Sequence, residues 1–127
     1  METTQGKAVA AFATLSQMSR KPMNSFTAYK LFKLKKALGQ IVEFQSEQEV
    51  KLIESFGGEI SESGAIFFGK DPVKAAENRK LYAEKHRELE ALACDVNIDR
   101  MTMFMKEIPE LSMSDMEQLE EFIEWKE

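Results

Sequence analysis

Residues 24 to 58 of this 127-residue chain, NSFTAYKLFKLKKALGQIVEFQSEQEVKLIESFGG, carry a helical pattern interrupted by nothing except Gly39. Asn24 or Ser25 supplies the side-chain oxygen that caps the start, and the Gly57-Gly58 pair supplies the positive φ that ends it. Such a helix, of roughly 32 residues, spans about 48 Å. A compact chain of this size is only about 36 Å across. The helix is therefore longer than the body it belongs to. It must project, or pair with another long helix in the same chain or in a second copy.

Within it, positions 31, 34, 38, 41, 45, 48 and 52 step alternately by three and four, the a/d seam of a coiled coil. They read Leu31, Leu34, Leu38, Ile41, Gln45, Gln48 and Leu52. The seam predicts an oligomer interface. Its two glutamines mark either a solvated or ligand-adjacent stretch, or a hydrogen-bonded layer that fixes register. At 100° per residue, Tyr29, Phe32, Lys33 and Lys36 lie away from the leucines. An aromatic and basic face of this kind can stack a ring and hold a phosphate, which makes these four the candidate ligand-binding residues. The competing use is as a second packing face for the helix before it.

Around the long helix, the sequence predicts a single mainly α domain with minor β structure: a helical hairpin or bundle, a small β-hairpin and a C-terminal strand and helix. Thr4 to Met18 forms a first helix, with Val9, Phe12, Leu15 and Met18 apolar and Ala8 and Ala11 beside them, stopped by Pro22. Glu59 to Phe68 reads as a hairpin around Glu62-Ser63-Gly64. Asp71-Pro72 opens a third helix, to about residue 92. Ala93 to Ile98 alternates as a half-buried strand does, Met101 to Ile108 is a second extended segment, and Pro109 stops it. Ser112 or Ser114 caps a terminal helix running to about residue 126, with Met116, Leu119, Phe122 and Ile123 on its apolar face.

Charge is distributed unevenly beneath a formal net of −5. Residues 1 to 40 carry seven basic side chains against Glu2 alone, and residues 88 to 127 carry three against twelve acidic ones. The two ends attract, which implies internal or head-to-tail packing of basic on acidic helices, a basic surface for an anionic partner, or simple solvation. An acidic chain argues against duplex nucleic acid as a partner, since that needs several uncancelled phosphate contacts. The apolar run Ala8 to Leu15 is too short for a membrane span, and neither it nor its flanks have the form of a secretory signal. The expectation is a soluble protein of the cytoplasm, without a membrane partner.

Catalytic and metal-binding signals are weak. His86 shares a helical stripe with Tyr82, Leu89 and Ala93, the pattern of a packing residue. Cys94, the single cysteine, has only Asp95 beside it and nothing to lower its pKa. The carboxylate pairs Glu120-Glu121 and Asp115-Glu117 read as a solvated face, and the glycines have turn spacing rather than phosphate-loop spacing. Met101, Met103, Met105, Met113 and Met116 give an adaptable apolar surface, more suited to core than to contact. No cofactor, no metal and no enzymatic reaction are expected.

The order FGGEISESGAIFF, ENRKLYAEKHRELEAL, ACDVNID and PELSMSDMEQLEEFIEW resembles small helical proteins of Gram-positive phages and prophages, the phage tail-component family. The likeness covers roughly residues 28 to 125 and leaves the alanine-rich first helix without a counterpart. It implies viral origin and action without catalysis. Two classes of function follow: a phage-encoded binding protein that captures a host component, either a defence protein or an anionic signalling nucleotide, as a helical oligomer; or a virion or tail-assembly accessory that pairs with a phage structural protein.

Overall fold

The computed structural model describes residues 1 to 108 and 110 to 127, so the expected stop at Pro109 lies outside the described residues. Among the described residues there are four α-helices and six short strands in two-stranded pairs, a mainly α fold with minor β structure.

Helix α1 (Gln5–Met18) starts one residue later than expected because Thr4 stands outside as its cap, its side chain accepting from the Lys7 amide. The chain reverses through residues 19 to 24 into helix α2 (Ser25–Ser55), where the Asn24 side chain accepts from the Thr27 amide at 2.9 Å. The end of α2 is built as the glycine pair requires: Gly57 takes φ 72°, and the Gly58 amide donates back to the Ile53 carbonyl at 2.8 Å. Gly58 is also a close approach. A Cβ there would lie 2.8 Å from Ile53 Cγ2 and 2.9 Å from the Phe68 ring.

The length of α2 is taken up inside the chain by two shorter helices. Along its first half α1 lies against it, with Ala8, Ala11, Leu15 and Met18 buried together with Leu31, Leu34, Leu38 and Ile41. The alanines let the two backbones approach, and Phe12 reaches the flank of Gly39. Along its second half lie helix α3 (Pro72–Ala91) and the hairpin of β2 (Glu59–Ile60) and β3 (Ile66–Phe67). Asp71 caps α3 through the Val73 amide, with Pro72 at the first helical position. Only Ala75 and Leu89 of α3 are buried, so this part of the molecule is thinly cored.

The ends of the chain depart from expectation. Glu2–Thr4 forms a strand, β1, paired antiparallel with β4 (Ala93–Asp95), Thr3 opposite Cys94. The second extended segment is a strand only over β5 (Met101–Phe104), after which Met105–Glu107 winds into a 3-10 turn. Helix α4 (Met113–Leu119) has the reciprocal Ser112/Asp115 capping box but stops seven residues short of the expected end. Ile123–Lys126 is instead a strand, β6, parallel to β5 with Met101 opposite Ile123 and Met103 opposite Trp125. The pairing places Met103, Leu119, Phe122 and Ile123 in one core with the α1–α2 hairpin.

The leucine seam is thereby corrected. Leu31, Leu34, Leu38 and Ile41, expected at an oligomer interface, are buried in the core of the single chain in one cluster with residues of α1 and the C-terminal segment. Gln45 is buried with them at 3% exposure, and its side-chain oxygen accepts no hydrogen bond among the described residues. Gln48 and Leu52 are half-buried.

Candidate binding face

Tyr29, Phe32, Lys33 and Lys36 are brought together, and they face outward. Tyr29 is 60% and Phe32 59% exposed, and both lysines are exposed. The first helix does not cover them. It lies against the neighbouring flank of α2, because the buried stripe 31-34-38-41 and the stripe 29-32-33-36 are separated by nearly half a helical turn. The Lys33 ammonium stands 5.0 Å from the centre of the Tyr29 ring, a cation–π pair on the outer surface. Phe26, one turn before Tyr29 and 84% exposed, extends the same aromatic stripe.

Tertiary packing adds residues that helical periodicity alone does not single out. A cleft of about 340 Å³ opens where α1 turns into α2, walled by Leu15, Met23, Leu31 and Phe32 with Lys21 and Lys35 at its edge. Beside it, a shallower depression of about 550 Å³ runs on past Phe12, Gly39 and Val42 towards Glu43, with Lys36 on its rim. Phe32 and Lys35 border both. The Lys35 ammonium lies 5.5 Å over the Phe12 ring, so α1 contributes an aromatic platform to a cation of α2. Phe26 was legible in the sequence as the preceding turn of the aromatic stripe. The Phe12–Lys35 pairing needed the hairpin geometry.

The charge asymmetry is barely neutralised within the chain. The N-terminal ammonium pairs with Asp95 at 2.9 Å and Lys7 reaches Glu121 at 3.6 Å, while Lys21 donates only to the Glu110 backbone carbonyl at 3.0 Å. Among the described residues, Lys30, Lys33, Lys35 and Lys36 lie within ion-pair distance of no carboxylate. The internal pairing of basic and acidic ends thus reduces to a contact or two, and the basic face of α2 keeps its charge for solvent or a partner.

Elsewhere, His86 is half-buried between α3 and α2. Its Nδ1 lies 2.7 Å from Glu90 and its Nε2 3.7 Å from Glu49, while its ring packs 5.5 Å from that of Tyr82. The Glu90 contact is an i, i+4 pair legible in the sequence; Glu49 comes from the other helix. Burial raises the pKa of the Tyr82 phenol, and the nearby Glu49 and Glu90 carboxylates raise it further. The cluster ties α3 to α2. Cys94 lies on β4, half-buried, its thiol pKa raised by burial and then by Glu121 and Asp95, the reverse of what an activated nucleophile needs. Among the described residues, no three carboxylate, imidazole or thiol groups converge on a common point as a metal site would require, and no helix is long and apolar enough to cross a membrane. No protein-family model, curated protein or solved structure matches the chain.

Proposed function

We propose that the chain is a non-catalytic binding protein that captures an anionic partner on the outer face of α2, through Tyr29, Phe32, Lys33 and Lys36. One observation carries this: three aromatic rings and a row of lysines without carboxylate partners share an exposed face that the chain leaves uncovered. Exposed aromatics cost solvation, and adjacent like charges repel. A partner presenting anionic groups beside apolar or ring surface relieves both.

In keeping with the phage resemblance, the partner is a component of the infected host's cytoplasm, either a defence protein or an anionic signalling nucleotide. The test has two arms. A thermal-shift screen of cyclic and linear nucleotides reads direct ligand capture, expected as a rise in melting temperature that Lys33→Glu/Lys36→Glu removes. Deletion of the gene from its phage, followed by plating on defended and undefended hosts, reads the biological class. Loss of plating on defended hosts alone supports capture of a defence component. Equal loss on both hosts overturns it in favour of a virion or tail-assembly accessory.

A further inference from the structure

The hairpin of α1 and α2 is covered on one side by the C-terminal segment and open on the other, and the open side is grooved. The two depressions that share Phe32 and Lys35 follow α2 from Ala28 to Glu43. These sixteen residues of helix span about 22 Å from first to last, four turns of a helix laid along the seam. The floor is apolar, its accessible side chains being Met23, Phe12, Phe32 and Val42 with Leu15 and Leu31 nearly buried beneath them, and Lys21, Lys35 and Lys36 line it as cations. Among the described residues, the one carboxylate bordering the groove is Glu43, at its far end.

We propose that this groove seats an acidic amphipathic helix of a partner protein. Large apolar side chains of that helix enter the 340 Å³ cleft beside Pro22 and Met23, and its carboxylates meet the lysines. The proposal rests on the reading that α2 captures an anionic partner, and it narrows that partner to a protein segment. Two features favour a helix over a nucleotide in the cleft. Apart from Ser19 and the lysines at its edge, the cleft offers no polar side chain, so the hydrogen-bonding edge of a buried base would go unmatched. The groove also follows α2 for far longer than a single nucleotide, a length that suits a third helix packing on a helical hairpin.

The probe is a synthetic 15-residue peptide with leucines at helical a and d spacing and glutamates elsewhere; the control carries lysine at every glutamate position. Binding is followed by titration calorimetry at about 0.05 and 0.15 M salt. The wild-type chain is expected to bind the acidic peptide with a Kd of roughly 10–100 µM. The basic peptide should bind at least tenfold more weakly, and affinity for the acidic one should fall with salt. Lys35→Glu/Lys36→Glu should invert the preference. Because Lys35 leans on Phe12, Lys35→Gln/Lys36→Gln serves as the milder pair, expected to abolish the preference with the fold intact. Equal binding of both peptides, no binding at about 1 mM, or a preference that survives either double variant overturns the proposal. A nucleotide that raises the melting temperature where the acidic peptide does not would also overturn it while leaving anionic capture standing. Failure of the nucleotides and the peptide together would remove both.

Discussion

Leu38→Ala separates a core seam from an inter-chain seam. Leu38 is fully buried, in one core cluster with Leu34, Ile41 and the α1 residues Ala11 and Leu15. Truncation removes about three methylene equivalents, roughly 2.4 kcal/mol of transfer free energy, and the residual cavity brings the loss to about 3 kcal/mol or more. Unfolding entropy scales with length, at about 2.1 cal/mol/K per residue. For 127 residues, a loss of that size lowers the melting temperature by roughly 11 °C. Because the contacts lie within one chain, the shift should be the same across a hundredfold range of protein concentration in a thermal melt followed by circular dichroism. An inter-chain seam behaves differently: its melting temperature rises with concentration, and the variant becomes a folded species of lower mass. Phe32→Ala, at an exposed position, should shift the melt by no more than a few degrees. A Leu38→Ala protein that melts within about 2 °C of wild type, or that is folded and merely dissociated, would refute the assignment of the seam to the core.

Three further outcomes follow from particular contacts. Gln45→Leu removes a buried side-chain oxygen without a hydrogen-bond partner and should stabilise the fold by about 1 kcal/mol in urea titration, with an unchanged m-value. Gly58→Ala forces a methyl against Ile53 and the Phe68 ring and should cost about 1–3 kcal/mol, lowering the midpoint of the same titration. The raised Tyr82 pKa means that the neutral phenol is favoured in the folded state. Its contribution is intact below the ordinary tyrosine value near 10 and is lost as pH rises through the higher folded value. Tyr82→Phe should therefore flatten the alkaline limb of a stability profile and leave the neutral limb unchanged in slope.

The elements that sequence periodicity located well are those set by local chemistry. Asn24, Asp71-Pro72 and Gly57-Gly58 fix helix ends through their own side chains or φ angles, and each stands where its residue type implies. The stripe of 29, 32, 33 and 36 and its separation from 31, 34, 38 and 41 follow from the helical period alone. What the seam packs against does not. A 3-4 repeat of leucines is equally satisfied by a second copy or by Ala8, Ala11, Leu15 and Met18 of the same chain, and the short turn at residues 19 to 24 makes the second local in space. The C-terminus shows the other limit. Leu119, Phe122 and Ile123 fit one face of a helix, but Ile123 and Trp125 equally fit alternate positions of a strand. The parallel pairing with Met101–Phe104, some twenty residues away, decides between them. Strand β1 is three residues long and acquires its conformation only from Ala93–Asp95.

The basic aromatic face is tested most directly by Lys33→Glu/Lys36→Glu. Both side chains are exposed and without carboxylate partners, so reversal should leave the melting temperature within about 2 °C of wild type, a shift below 1 kcal/mol. Under the proposed phage origin, the measurement is the plating efficiency, on defended hosts, of a phage carrying the double variant, with the purified protein melted alongside. The expected result is a folded protein and a plating efficiency reduced to that of the gene deletion. A folded double variant that plates as wild type would contradict capture through this face.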